Sequence, residues 1–147
     1  MLVESILPNA RKRLVTITIE QPLRAVADLL TRSETDVVVV CDGDYRLAGV
    51  VTKTDIVRQI GHCCGESCKE AAAAAMSRDV TSCRLTSNLE DVFSIMKKRG
   101  IANVPIVDDK AHPLGVANAR DALEVLLYET EREDALLRDY VACTGYH

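Results

Sequence analysis

The sequence lacks tryptophan and has only four tyrosines and one phenylalanine among 147 residues. An aromatic platform for stacking the bases of single-stranded nucleic acid is therefore not expected, and the core has to be aliphatic. No apolar run approaches the roughly 20 residues of a membrane span, and the first residues lack the basic start and apolar stretch of a secretion signal. The formal charge of −4 argues against binding to nucleic acid or anionic membrane. We expect a cytoplasmic protein with neither as a partner.

Common catalytic motifs are also missing from the sequence. It contains no Gly-x-Ser-x-Gly nucleophile elbow, no phosphate loop ending in Gly-Lys-Ser/Thr and no paired-histidine metal motif. Composition and motifs therefore give no support for an enzyme, and no cofactor is expected to be required.

Six cysteines do not make a disulfide framework here, because a chain with a sizeable aliphatic core and no secretion signal has no need of one. Cys41 and Cys83 lie on predicted strands and are expected to be small core residues. A cluster of one histidine and three cysteines, in the segment between the repeats, could bind zinc or act as a redox switch, although its two adjacent cysteines fit a tetrahedral site poorly. This metal- or redox-sensing alternative stays open, with candidate ligands His62, Cys63, Cys64 and Cys68.

The chain contains an internal repeat with an offset of 66 residues, which aligns Asp55 with Asp121. Identities are few, but the pattern of apolar, glycine and acidic positions matches throughout. A repeat at a constant offset predicts an architecture of two similar halves. The same offset pairs Leu23 with Leu89, Val26 with Val92, Val38 with Val104, Asp42 with Asp108 and Gly49 with Gly115.

Each repeat reads as β-α-β-β-α. Short β-branched runs predict the first strands, and apolar residues at helical spacing predict the helices that follow. In the second repeat Ser87 and Glu90 have the spacing of a capping box. The uninterrupted apolar run 37–41 predicts a strand buried on both faces. From Asp121 to Ala142 no glycine or proline intervenes, which predicts a long helix or a broken helix pair. The first and second strands are predicted at residues 14–18 and 37–41, and at 80–83 and 103–107 in the second copy.

A polar motif stands where the last strand of the first repeat meets its helix. Thr52 and Thr54 supply hydroxyls beside free helix amides, and Asp55 could hold the vicinal hydroxyls of a ribose. The same spacing also fits a helix cap made by Thr52 and Asp55 alone. Both interpretations stay open, and the second repeat carries a related motif that ends at Asp121.

With its duplicated motifs, the sequence over about residues 1–125 resembles the CBS domain, named for cystathionine β-synthase, in the tandem arrangement called a Bateman module. The resemblance implies an α+β fold in which two β-α-β-β-α repeats pack with pseudo-twofold symmetry. It implies a stand-alone, non-enzymatic sensor whose two clefts bind an adenosine-containing ligand such as AMP, ADP, ATP, NAD or S-adenosylmethionine. A structural interaction module with empty clefts is the further alternative.

The resemblance also assigns residues to each cleft. The aspartates would hold ribose, Thr52 and Asn118 would face phosphate, and residues of the first and second strands would cradle adenine. Asn118 departs from the family's usual Ser or Thr, and Arg120 adds charge beside it. One site would comprise Thr16, Ile17, Val37, Val38, Val39, Thr52, Thr54 and Asp55; the other would comprise Thr81, Ser82, Asn103, Val104, Pro105, Asn118, Arg120 and Asp121.

We predict the first repeat at residues 1–62, a linker with the cysteine cluster and a short helix at 63–75, the second repeat at 76–125 and a C-terminal helical extension at 126–147. The resemblance implies a homodimer formed through the repeats and the C-terminal helix, and an unidentified protein target.

Overall fold

The computed structural model describes residues 1–32, 35–61 and 71–143, with side chains of the last helix described to residue 138. Its elements alternate as the repeat predicts, and each half contains a small sheet covered by helices. In chain order they are a short 3-10 helix Val3–Ile6, α1 Leu7–Arg13, β1 Thr16–Thr18, α2 Leu23–Arg32, β2 Val37–Cys41, β3 Leu47–Thr52, α3 Lys53–Gly61, α4 Ala72–Ala75, α5 Leu89–Arg99, β4 Asn103–Val107, β5 Pro113–Asn118 and α6 Ala119–Cys143.

The strand β2 joins the two halves because its side chains alternate between two cores. Val38 and Val40 pack on the helices of their own repeat, whereas Val39 and Cys41 pack towards Val116 of the second repeat. All five residues of β2 are buried. The prediction of a strand buried on both faces is therefore confirmed.

The first strand of the second repeat is shorter than predicted. In the first repeat β1 runs parallel to β2, and the Val39 amide donates to the Val15 carbonyl oxygen at 2.8 Å. Pro105 is the equivalent of Val39 and has no amide hydrogen to donate. The predicted strand 80–83 is thus reduced to one parallel bridge, between Cys83 and Ile106.

Helix α5 begins one residue later than the predicted capping box. Asn88 is the N-cap, and its Oδ1 accepts from the Glu90 amide at 2.9 Å. The Ser87 hydroxyl oxygen instead accepts from the Arg84 amide at 3.0 Å, because the chain turns before the helix starts. The helix ends at Gly100, whose φ of 65° is the left-handed conformation that glycine favours.

The turns between the last two strands of each repeat are built alike. Asp108 Oδ1 accepts from the backbone amides of His112 and Lys110, each at 2.9 Å. These bonds, the one to His112 above all, hold the pKa of Asp108 below its ordinary value. Asp42 is bonded in the same way in the first repeat, and its pKa is lowered chiefly by the Arg46 amide.

The predicted long C-terminal helix is confirmed as the continuous helix α6. Its first turns contact β5 and α5, whereas residues 131–138 are all exposed. Among the residues described, no helix has the length and apolar character needed to cross a membrane. The helix thus extends beyond the packed part of the second repeat.

Candidate functional site

A cavity of about 720 Å³ lies between the two repeats, at the N-terminus of α3. We call it the Asp55 cavity. One side comes from the first repeat and the other from the second, so its shape depends on how the repeats pack. Its lining consists of Asp36, Val37, Val50, Thr52, Lys53, Thr54, Asp55, Arg58, Ser77, Asp79, Val80, Thr81, Arg99, Gly100, Ile101, Ala102, Asn103 and Pro105.

Asp55 is fixed by the helix cap that the sequence allowed. Its Oδ2 accepts from the Thr52 amide at 2.9 Å and from the Thr52 hydroxyl at 3.1 Å, while the Asp55 amide lies 3.3 Å from that hydroxyl oxygen. Its Oδ1 lies 3.6 Å from Arg58. The cap therefore uses one carboxylate oxygen and holds the side chain at the cavity wall.

Charged side chains of both signs surround the cavity. Lys53 Nζ lies 3.4 Å from Asp36, and both side chains are largely exposed. Arg58 is exposed over 64% of its side chain, and Arg99 donates to the Thr81 hydroxyl. Exposed ion pairs are weak, so these cations can turn towards an anionic ligand at little cost.

The second repeat reaches this cavity through a close backbone contact. Val50 and Ser77 exchange two backbone hydrogen bonds, of 3.1 and 2.8 Å. Gly49 permits this approach, because a Cβ there would lie 2.6 Å from the Ser77 carbonyl oxygen. The segment after Ser77 is thereby held against β3, where Asp79 and Val80 form part of the cavity wall.

The cavity brings together predicted residues that the sequence had assigned to different clefts. It combines Thr52, Thr54 and Asp55 with Thr81 and other residues of the second repeat. Arg58 and Arg99 also line the cavity, and the sequence did not predict them because they lie outside the duplicated motifs. The predicted residues that line it are Val37, Thr52, Thr54, Asp55, Thr81, Asn103 and Pro105.

Other predicted residues lie away from the Asp55 cavity. Thr16 and Ile17 line a separate depression of about 270 Å³. Val38 and Val104 have no exposed surface and belong to the cores under the helices. Val39 is equally buried, between the sheets. Alternation along the strands turns the side chains of Val38 and Val104 away from the cavity that Val37, Asn103 and Pro105 line. Ser82 is exposed and does not line the cavity.

Asp121 has different partners from Asp55. Arg13 donates to both of its oxygens, from Nε to Oδ2 at 2.6 Å and from Nη2 to Oδ1 at 3.0 Å. The hydrogen bond to Asp121 raises the pKa of the Arg13 guanidinium. Asn118 donates to Asn103 Oδ1 at 2.9 Å, and its own Oδ1 accepts from the Arg120 amide at the same distance.

The predicted thiol cluster lies outside the described residues, since His62, Cys63, Cys64 and Cys68 all fall in the segment 62–70. Within the described ranges no group of histidine, cysteine and acidic side chains is arranged to hold a metal ion. Cys41 and Cys83 are free and buried, as predicted, and burial raises the pKa of each thiol to about 11.

Several known proteins resemble this chain. Inosine-5'-monophosphate dehydrogenase from Halobacterium salinarum is 31% identical over 78% of the chain, and homoserine O-acetyltransferase from Methanocorpusculum labreanum is 31% identical over 64%. The chain spans only about a fifth of the length of each, 22% and 18% respectively. Their catalytic activities therefore do not carry over to this chain.

Solved structures share the fold. A CBS-domain containing protein from Agrobacterium tumefaciens superposes with a TM-score of 0.73 and 22% identity, over 84% of this chain and 91% of that one. A CBS domain pair in complex with 5-methylthioadenosine and S-adenosylmethionine gives 0.74 and 22%, over 88% and 98%. The CBS domain family matches residues 3–62 and again 70–128. The chain therefore belongs to the CBS domain family and carries two copies of the domain, packed with pseudo-twofold symmetry.

Proposed function

We propose that this chain is a non-enzymatic regulatory module that binds an adenosine-containing ligand in the Asp55 cavity. The observation that carries the proposal is the composition of the cavity: a fixed carboxylate at the N-terminus of α3 on one side, and apolar residues of the second repeat on the other. Its volume of about 720 Å³ falls within the about 300–1,000 Å³ of small-molecule sites. The relative solved with 5-methylthioadenosine and S-adenosylmethionine supports the same ligand class.

Each part of such a ligand has a matching surface. The Asp55 carboxylate accepts from ribose hydroxyls, with Thr52 holding it in place. Phosphate groups of AMP, ADP, ATP or NAD would meet the α3 amides and Lys53. The base would lie against the apolar wall that includes Ile101 and Pro105. An aliphatic wall suffices for adenine, which agrees with the scarcity of aromatic residues.

Regulation would follow from the position of the cavity between the repeats. A ligand that contacts both repeats favours the relative orientation of the repeats that it binds more tightly. The size of this shift is set by the difference between its affinities for the two orientations. At 100 times its dissociation constant, a ligand that binds only the folded state adds about 2.7 kcal/mol to stability. This coupling needs no chemical step.

The first experiment measures thermal unfolding with AMP, ADP, ATP, NAD and S-adenosylmethionine, followed by calorimetric titration of those that raise Tm. Asp55→Asn should weaken binding at least tenfold, since a hydrogen bond to a charged group contributes about 1.5–3 kcal/mol. Asn88→Ala is the matched control, because it also removes a helix cap but lies outside the cavity. A folded protein that none of the five ligands stabilises would contradict the proposal.

We also propose that the module forms a homodimer through α3 and α6, which are equivalent helices of the two repeats. Val57 on α3 and its equivalent Leu123 on α6 are 68% and 42% exposed, and Ile60 and Leu127 on the same two helices are 60% and 52% exposed. Equivalent apolar faces suit a twofold contact, in which each surface meets its own copy. Sedimentation equilibrium should give twice the chain mass of 16.1 kDa, and Leu127→Glu should give the monomer. A monomeric wild-type chain would refute this interface.

A further inference from the structure

The two equivalent aspartates, Asp55 and Asp121, differ in the side chains that already contact their carboxylate oxygens. Asp121 is bound by Arg13 through both oxygens, at 2.6 and 3.0 Å. Its side chain is 7% exposed, and that of Arg13 is 35% exposed. Asp55 meets its arginine, Arg58, only at 3.6 Å, and that side chain is 64% exposed. A bidentate pair of this kind is stronger and more specific than a loose contact.

Arg13 is held in position by the helix that carries it. It is the last residue of α1, which packs along β5. Ala10 of that helix is 1% exposed, and a Cβ on Gly115 would lie 2.9 Å from the Ala10 carbonyl carbon. The guanidinium therefore projects from a helix pressed against the strand that leads to Asp121.

The repeat offset shows that this contact belongs to one half only. Adding 66 residues to Arg13 gives Asp79, which lines the Asp55 cavity. The position that brings a guanidinium to Asp121 thus brings a carboxylate to the cavity of the other half. Conversely, Lys53 beside Asp55 is replaced at the matching position by Ala119. The two halves share a backbone plan but have different charges around their aspartates.

We propose that Arg13 closes the Asp121 site to ribose, so that the chain takes one adenosine-containing ligand per two repeats, at Asp55. This inference rests on the proposed function. A ribose at Asp121 would need the carboxylate oxygens that Arg13 already uses, and would have to displace two charge-assisted hydrogen bonds. At Asp55 the cap occupies Oδ2, and Oδ1 lies 3.6 Å from the exposed Arg58.

The test is the binding stoichiometry measured by calorimetry, with AMP and with S-adenosylmethionine in separate titrations. The wild-type chain should bind about one ligand per chain. Arg13→Gln keeps a side-chain donor but loses the charge and the bidentate geometry, and should bind about two. Arg11→Gln is the matched control, an exposed arginine of the same helix, and should still bind one. Circular dichroism establishes that each variant is folded.

Three outcomes would overturn the proposal. Two ligands per wild-type chain would show that Arg13 does not close the site, and one ligand per folded Arg13→Gln chain would show that something else does. If Arg13→Gln does not fold, Asp55→Asn in the wild-type background decides, since one full equivalent bound to that variant with unchanged affinity would place the ligand at Asp121. Binding by neither wild type nor Arg13→Gln would instead refute the proposed function, and this inference with it.

Discussion

Gly49→Ala is predicted to destabilise the protein by forcing the two repeats apart at the edge of the Asp55 cavity. The new Cβ would lie 2.6 Å from the Ser77 carbonyl oxygen and 2.9 Å from Met76 Sδ. The methionine side chain can move, but the Ser77 carbonyl is held by its bond to the Val50 amide. Overpacking of this kind costs about 1–3 kcal/mol, and loss of the two Val50–Ser77 bonds would add to it.

Urea unfolding measures this effect directly. With a slope of about 1–3 kcal/mol per molar, the midpoint should fall by roughly 1 M without a change in slope. AMP binding should weaken as well, because Ser77 and Asp79 line the cavity. Gly43→Ala is the control, since a Cβ at Gly43 would meet nothing within 4 Å. Equal midpoints for the two variants would refute the close contact between Gly49 and Ser77.

Three further predictions concern the protein without a ligand. Leu89→Ala should lower the free energy of unfolding by about 2–5 kcal/mol, because Leu89 is fully buried. Leu137→Ala is the control, since Leu137 is 62% exposed, and it should change the free energy of unfolding by less than about 0.5 kcal/mol. Equal effects of the two variants in urea unfolding would contradict the described core. The pKa of Asp108 is lowered in the folded state. The ionised carboxylate therefore stabilises the folded protein above its ordinary pKa, and this stabilisation is lost as the pH falls through the pKa that Asp108 has in the folded state. Asp108→Asn should therefore flatten the fall in Tm below about pH 4, and an unchanged acid profile would contradict the turn. Cys41 and Cys83 should resist alkylation at pH 8 until urea unfolds the chain, as judged by peptide mass spectrometry; rapid labelling of the native protein would show that they are accessible.

Much of the fold could be predicted because it is encoded locally and twice. The run at 37–41 contains apolar residues at every position and is too short for most helices, which favours a strand between two cores, and β2 is such a strand. The helix stripes that include Leu89, Val92 and Met96 are buried as their spacing predicts. Repetition at a fixed offset then indicates how the halves are arranged, since each element has a partner in the other repeat.

Details of the predicted strands and caps were wrong where one residue changes a hydrogen bond. Pro105 has no amide hydrogen, so the strand before it shortens to a single bridge at Cys83. Ser87 and Asn88 can both cap a helix, and the chain direction at that point decides for Asn88. Such choices depend on backbone geometry that spacing alone does not specify.

The composition of the site could be predicted only in part, because it is formed between repeats. The motif that ends at Asp55 was recognisable within one repeat, as was its capping geometry. Its opposite wall comes from the other repeat, which no motif within one repeat specifies. The pair between Arg13 and Asp121 joins residues 108 positions apart. Contacts of that kind arise from packing and leave no periodic signal.

The central claim is that a ligand binds at Asp55 between the repeats, and a crystal structure of the chain grown with saturating AMP tests it most directly. The account predicts density for the nucleotide in the Asp55 cavity, with the ribose hydroxyls within hydrogen-bond distance of the Asp55 carboxylate and the base against Pro105. Arg13 should remain on Asp121. An empty Asp55 cavity at saturating AMP, or a nucleotide whose ribose is held by Asp121 instead, would contradict the account.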